Sequence, residues 1–371
     1  MPRIFYLTFL TVLAFNHALL ATEPAVQLID NSVGFSQVVD LNESGNVLGS
    51  REVAVEPLRL ATEPYYWQDN RQRKIKMLAG YTNIEPQALS DTGLVVGYAT
   101  RFVGNPAGNM QAFLWKVTTD EPLILETSAG YRTSHACSVD RKGTVISGYV
   151  VGSDPPRMMP CAWERIDGNW QNTVLPTTHQ YNPSLASSRV LVSPDGSQIA
   201  ACITSNNRAG PLGASHRSLC VWKLQGDGSW DPSEIYQASL RLSAINDRGM
   251  IVGSHTVKTF RRAFAWDPVH GYQILGLLEG DESAEALDVN KEGLVVGYSD
   301  DPYGPDGGPQ AFIWKDAKLA ALELPIPTLF SSATTVTDSG MIGGFLQTLP
   351  DNEREASKTL SFVFSLPKHL P

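Results

Sequence analysis

The sequence predicts an all-β chain: a seven-bladed β-propeller of four-stranded blades, with an N-terminal strand completing the last blade. Three observations carry this. First, one phrase recurs seven times: a short apolar run, a tight turn ending in Gly, a second apolar run, then an aromatic strand usually ending in Trp. Second, the turn glycines (Gly45, Gly93, Gly143, Gly196, Gly249, Gly293 and Gly340) lie 44 to 53 residues apart. That is a blade-sized period with several short strands per copy. Third, no stretch beyond the N-terminal leader sustains a helical apolar period.

Each copy holds four strand-like segments. In the second they are Pro86–Ser90, Leu94–Ala99, Gln111–Lys116 and Pro122–Glu126. All are short, rich in β-branched and aromatic residues, and bounded by Gly, Pro, Asn or Asp. The first turn reads Asn42-Glu43-Ser44-Gly45, Asn246-Asp247-Arg248-Gly249 and Asn290-Lys291-Glu292-Gly293 in three copies. Asn caps such a turn through its side chain, and Gly accepts the positive φ at its end, so these residues read as structural. The third strand ends in Trp67, Trp115, Trp163, Trp222, Trp266, Trp314 and Phe364, with Tyr65, Phe113, Cys161, Cys220, Phe264, Phe312 and Phe362 two residues earlier. Residues i and i+2 of a strand share a face. Each blade should therefore press this pair against one neighbour, which is how blades that lack a core of their own bury one together. The seventh copy has no fourth segment, whereas Ala25–Ile29 precedes the first copy without a partner. That segment is expected to supply the missing outer strand and remove the open edge.

Length and composition fit one domain over residues 22–371, at 42% hydrophobic and 18% charged residues. Residues 1–21 read as a secretory signal peptide: Arg3, the apolar run Ile4–Phe15, then Ala18-Leu19-Leu20-Ala21. A secreted or periplasmic monomer follows, with no membrane insertion after cleavage. The net charge of −9 and the absence of a basic run exclude nucleic acid and anionic membranes as expected partners. Four cysteines (Cys137, Cys161, Cys202 and Cys220) permit disulfides in an exported chain, and spacing offers only Cys202 with Cys220, on adjacent strands of the fourth blade. Small buried thiols in core positions are the alternative.

The unit Leu275-Gly276-Leu277-Leu278-Glu279-Gly280, Ser283-Ala284, Val289-Asn290, Gly293, Val295-Val296-Gly297-Tyr298-Ser299 and Ala311-Phe312-Ile313-Trp314 resembles the HAF repeat of exported, mainly bacterial proteins. The resemblance spans residues 22–371, strongest in the second, fifth and sixth copies. The His of the name-giving triplet is replaced by Gln111, Arg262 and Gln310. The resemblance implies an extracellular propeller-like fold, and it implies no catalytic residues, since the family has no established activity.

Enzyme signatures are absent: there is no nucleophile elbow, phosphate loop or HExxH helix. No cofactor is expected, and no Cys/His spacing suggests zinc. Asp300, Asp301 and Asp306 on a Gly-rich loop could gather a hard cation, but they lack the alternate-residue spacing of a calcium loop, so a solvated turn is the better reading. The connections between second and third strands are long and differ from copy to copy, while the first turns are uniformly tight. One face is thus elaborated, and loops on a rigid scaffold are where binding concentrates. Tyr131, His179, Tyr181 and Tyr303 are the candidate contacts there. The expectation is a non-catalytic module binding a protein or glycan. The alternative is a channel-centred enzyme acting on glycans, hydrolase or lyase, using carboxylates from Asp40, Asp288 or Asp140. An acidic pair in a deep channel beside an exposed aromatic would favour the enzyme; a plugged channel would favour the module.

Overall fold

In the computed structural model, residues 26–29, 35–56, 59–101, 110–152, 157–178, 183–206, 215–236, 240–302, 308–349 and 357–366 are described. The leader at 1–21 lies outside them. The described residues form 28 strands in seven four-stranded antiparallel sheets. The first six blades are meanders; the second, for example, runs β6 (Asn83–Leu89), β7 (Leu94–Thr100), β8 (Met110–Lys116) and β9 (Pro122–Ile124). The inner strands are β2 (Ser36–Leu41), β6, β10 (Tyr131–Val139), β14 (Pro183–Val192), β18 (Leu240–Ile245), β22 (Ser283–Val289) and β26 (Thr328–Val336), and each lies against the next, with β26 returning to β2. The ring is closed.

Closure is as the sequence predicts. In the seventh blade β1 (Val26–Leu28) pairs antiparallel with β28 (Thr359–Ser365), placing Leu28 opposite Phe362, and the Ile29 N–H continues the ladder to the Ser361 carbonyl. The third-strand pairs face the preceding blade. Phe113 and Trp115 pack on Leu48, Tyr66 and Ile75 of the first blade; Phe312 and Trp314 pack on Met250, Val252 and Ala265 of the fifth. The Trp163 and Trp222 indoles donate to the carbonyls of Glu126 and Pro176, just beyond the fourth strand of the blade before. Burying these indoles is therefore not bought with an unpaired N–H.

Two features of the repeat gain a physical cause. The turn asparagines do more than cap. Asn290 Oδ1 accepts from the N–H groups of Glu292 and Leu294, while its Nδ2 donates to Thr337 O of the next blade; Asn246 and Asn42 repeat this toward Asn290 and Ser90. The glycine of the second strand marks a close approach. Every inner strand except β14 bulges by one residue at this point, as between Ala286 and Asp288, and a Cβ on Gly297 would stand 2.1 Å from Glu285 O.

The cysteines correct the spacing argument: all four are free and buried. Cys202 pairs with Leu219, whereas Cys220 pairs with Ala201. Adjacent strands in that register send the two thiols to opposite faces, Cys202 into the core shared with the fifth blade and Cys220 into that shared with the third. Burial pushes their thiols up to about 12 and about 11.

Deleting residues 24–31 should lower the melting temperature by roughly 5 °C or more, because the outer strand of the closing blade is lost. Differential scanning calorimetry checks this; an unchanged melt would mean that β28 needs no partner.

Candidate active site: the axial cavity

The seven inner strands surround a cavity of about 590 Å³, a size suited to small ligands. Its floor lies at the tight-turn face. There Arg141 of the third blade reaches across the axis to Asp338 of the seventh, to Asp247 of the fifth at 3.3 Å and to Glu43 of the first at 3.8 Å. Neighbouring turns are also joined: the N–H groups of Glu43, Lys291 and Asp195 donate to Asp91, Asp338 and Asp247. With the floor tied in this way, a ligand moving along the axis enters from the long-loop side.

Above the floor, two of the three sequence-predicted carboxylates meet. The Leu89 N–H of the second blade donates to Asp40 Oδ2 (2.7 Å), and the Leu41 N–H to Oδ1 (2.8 Å). Asp288 accepts in the same way from Val336 N of the seventh blade (2.7 Å) and from Val289 N (2.8 Å). Equivalent repeat positions thus do carry a structural task, tying each blade to the next. Both residues also line the cavity. Between them stands Thr335, whose Oγ1 is 3.0 Å from Asp288 Oδ2 and 3.4 Å from Asp40 Oδ1. Because both reach one hydroxyl oxygen, these two carboxylate oxygens are at most about 6.4 Å apart, within the reach of a glycosidase-type pair. Thr335 has one proton to donate, so it can satisfy one acid at a time.

The electrostatics follow from crowding. Each carboxyl keeps some surface open to the cavity but is packed round by three blades. Burial, reinforced by the Asp288 charge, raises Asp40 to about 7; burial, reinforced by Asp338, raises Asp288 to about 6. The backbone N–H groups and Thr335 pull the other way without prevailing. Near neutral pH the pair therefore shares a proton. Asp140, the third candidate, does not join them. It is fully buried in its turn, where its carboxylate accepts from Thr144 N, Thr144 Oγ1 and Val145 N.

Higher on the wall, Glu285 accepts from Arg261 (3.0 Å) and from Tyr298 O–H (3.3 Å), which holds a half-buried aromatic ring at the cavity surface. Behind the wall His135 is stacked between Tyr98 and Tyr149, with ring centroids at 4.1 and 4.9 Å. Burial, with the Arg189 charge adding to it, lowers His135 to about 4.

Of the loop candidates, Tyr131 packs against the core between the second and third blades. His179, Tyr181, Tyr303 and Asp306 lie outside the described residues. Asp300 ends β23 (Val295–Asp300) with one buried carboxylate oxygen unpartnered, and burial raises its pKa. Among the described residues no three metal-ligating side chains converge. Sequence reasoning missed Thr335, Glu285, Tyr298 and Arg141, each of which matters through another blade.

By sequence, no protein-family model and no curated protein matches the chain. Solved structures do resemble it. Oligogalacturonate lyase from Vibrio parahaemolyticus matches with a TM-score of 0.54 at 11% identity, over 94% of this chain and 95% of its own. The β-propeller domain of the Trilobed protease from Pyrococcus furiosus, described as having an open velcro topology, matches with 0.53 at 11%, over 88% and 95%. Prolyl oligopeptidase B from Galerina marginata matches with 0.56 at 10%, over 92% of this chain but 51% of its own, so the chain spans about half that enzyme's length. At such identities the likeness establishes the fold. The expectation of a non-catalytic module, which rested on the absence of enzyme signatures, is corrected on this finding: the similar propellers belong to peptidases and a lyase, and one lyase matches end to end.

The ¹³Cγ resonances of Asp40 and Asp288 should titrate near pH 7 and 6 instead of near 4. Thr335→Val should move both upward, because the hydroxyl favours the ionised forms.

Proposed function

We propose that the chain is an exported enzyme that acts on a glycan, as hydrolase or lyase, through the Asp40–Asp288 pair in its axial cavity. One observation carries the reading: two carboxylates from different blades face one cavity, share one hydroxyl, and hold a proton between them near neutral pH. A single site then contains an acid and a base, the requirement for cleaving a glycosidic bond by hydrolysis or elimination. Of the pair, the member that holds the shared proton is the acid and its ionised partner the base. Tyr298 offers a ring for a sugar face to lie against. The end-to-end likeness to oligogalacturonate lyase supports a glycan over a peptide, since the peptidase chains are about twice the length matched. Arg3 with its apolar run, and the HAF-repeat resemblance, support export.

Incubation with a panel of oligosaccharides tests this. Mass spectrometry separates hydrolysis, whose products gain water, from elimination, whose products gain an ultraviolet-absorbing double bond. Asp40→Asn and Asp288→Asn should each lose at least about 100-fold in turnover while circular dichroism stays unchanged. The activity profile should be a bell centred between pH 6 and 7, falling below as the pair takes up a second proton and above as it loses its last. Full turnover by both variants would overturn the assignment.

A further inference from the structure

The fourth blade departs from the other six. In each of those the inner strand inserts one residue into the ladder at the bulge, for example between Pro86 and Ala88 or between Leu242 and Ala244. In β14, Leu185 pairs with Ile203 and Val190 with Ala201, so Ala186, Ser187, Ser188 and Arg189 together face Cys202 alone. The sequence carries a trace of this. Ala201 stands where the others have Gly49, Gly97, Gly148, Gly253, Gly297 and Gly344. In most of those blades a Cβ would meet an inner-strand carbonyl at about 2 Å. The fourth blade carries a Cβ at that position because its inner strand takes another path there.

An enlarged bulge re-aims a side chain, and here that side chain is Arg189. It is exposed and lines the cavity. Arg241, on the adjacent inner strand of the fifth blade, is likewise exposed and lines the cavity. Among the described residues neither side chain makes a hydrogen bond or ion pair. The contrast with the other cavity arginines is informative: Arg261 is held by Glu285, and Arg141 by three carboxylates. In a chain of net charge −9, two guanidinium groups left without carboxylates inside a concave wall are not explained by stability. Concave walls focus such a field on an entering anion, and guanidinium is the cation whose geometry suits a carboxylate.

We propose that Arg189 and Arg241 form a carboxylate-binding subsite of the cavity, so that the ligand taken there is an acidic, uronate-bearing oligosaccharide. The choice of a sugar rests on the functional reading above; the anionic character rests on the arginines alone. The subsite lies on the fourth and fifth blades, and the acid pair on the sixth and first. Arg241 precedes its turn glycine by eight residues and Asp288 by five. One of the three intervening residues is the bulge, so the Arg241 position stands two ladder steps, roughly 7 Å, nearer the entrance.

Isothermal calorimetry with α- and β-linked uronate tetrasaccharides, each beside its carboxyl-reduced counterpart, tests the proposal; inorganic sulfate is the control. At least one uronate should bind, its reduced form at least tenfold more weakly, and sulfate no more tightly than the reduced form. Arg189→Gln and Arg241→Gln should each weaken uronate binding about tenfold, with Arg241→Lys retaining part of it. An independent readout is the His135 ring. Neutralising Arg189 with a bound carboxylate should raise its titration midpoint, and Arg189→Gln should abolish that ligand-induced rise. Equal binding of the reduced sugars, tighter binding of sulfate, no binding of any uronate, or uronate binding indifferent to both Gln variants would overturn the subsite. Binding that meets these expectations without turnover would sink the catalytic reading and leave the subsite standing. Turnover of neutral sugars alone would do the reverse.

Discussion

The structure depends on one packing event repeated seven times: the third-strand pair of each blade wedges against the first three strands of the blade before it. No blade has enough apolar surface to form a core by itself, so each aromatic pair is buried only when its neighbour is present. Residues such as Phe113, Trp115, Trp163, Trp222, Phe264, Phe312 and Phe362 lose essentially all solvent contact in this way. The ring must then close, since an open end would leave one such face bare. β1 and β28 achieve this by joining the chain's two ends in one sheet. Everything at the axis is a consequence. Once the wedges set the angle between blades, seven inner strands cannot converge to a packed centre, and a cavity remains.

What occupies that axis is decided by exceptions to the repeat. Where the repeat rules, residues such as Asn42, Asn246 and Asn290 act as turn caps and as pins to the next blade. Where it is broken, charge appears. Arg141 takes the second turn position that Glu43, Asp247 and Asp338 occupy elsewhere, and this reversal of sign makes the floor cohesive: like carboxylates around a narrow axis would repel, and one guanidinium among them converts repulsion into a tie. Asp338 is nearly buried there, so its pairing with Arg141 also answers the desolvation cost that an isolated carboxylate would carry.

The architecture was legible in the sequence because each of its causes is local. Turn chemistry is written within four residues, the aromatic wedge within three, and the closing strand shows as an element without a partner in its own copy. The site was only half legible for the opposite reason. Asp40 and Asp288 could be picked out as acids on inner strands, but Thr335, which joins them, sits one blade from each and looks like any strand threonine. Arg141 looked like an ordinary turn residue. The disulfide expectation failed on parity: Cys202 and Cys220 are on neighbouring strands as expected, yet adjacent-strand position says nothing about which face a side chain takes until the register is known. The enlarged bulge of β14 left one readable mark, Ala201 in the place of a glycine, but its meaning appears only when five of the other six glycines are seen to lie against carbonyls.

The same logic explains why the acids with raised pKa that face the cavity lie at the axis. A fully solvated carboxylate has no burial to lift its pKa. A carboxylate at the inner strands is crowded by three blades yet still faces a cavity, so burial lifts its pKa into the range where proton transfer works near neutrality. The repeat makes such positions available seven times over, and this chain places an acid at two of them, on the sixth and first blades. Thr335 of the seventh blade lies between the two and can donate its proton to either. The scaffold that needs Asp40 and Asp288 to tie neighbouring blades is thus also what perturbs them: the N–H donors that fix their orientation favour ionisation, the crowding opposes it, and crowding prevails at both sites. A rigid ring can hold two buried acids in that state because the wedges around the whole circumference stabilise it against the local cost.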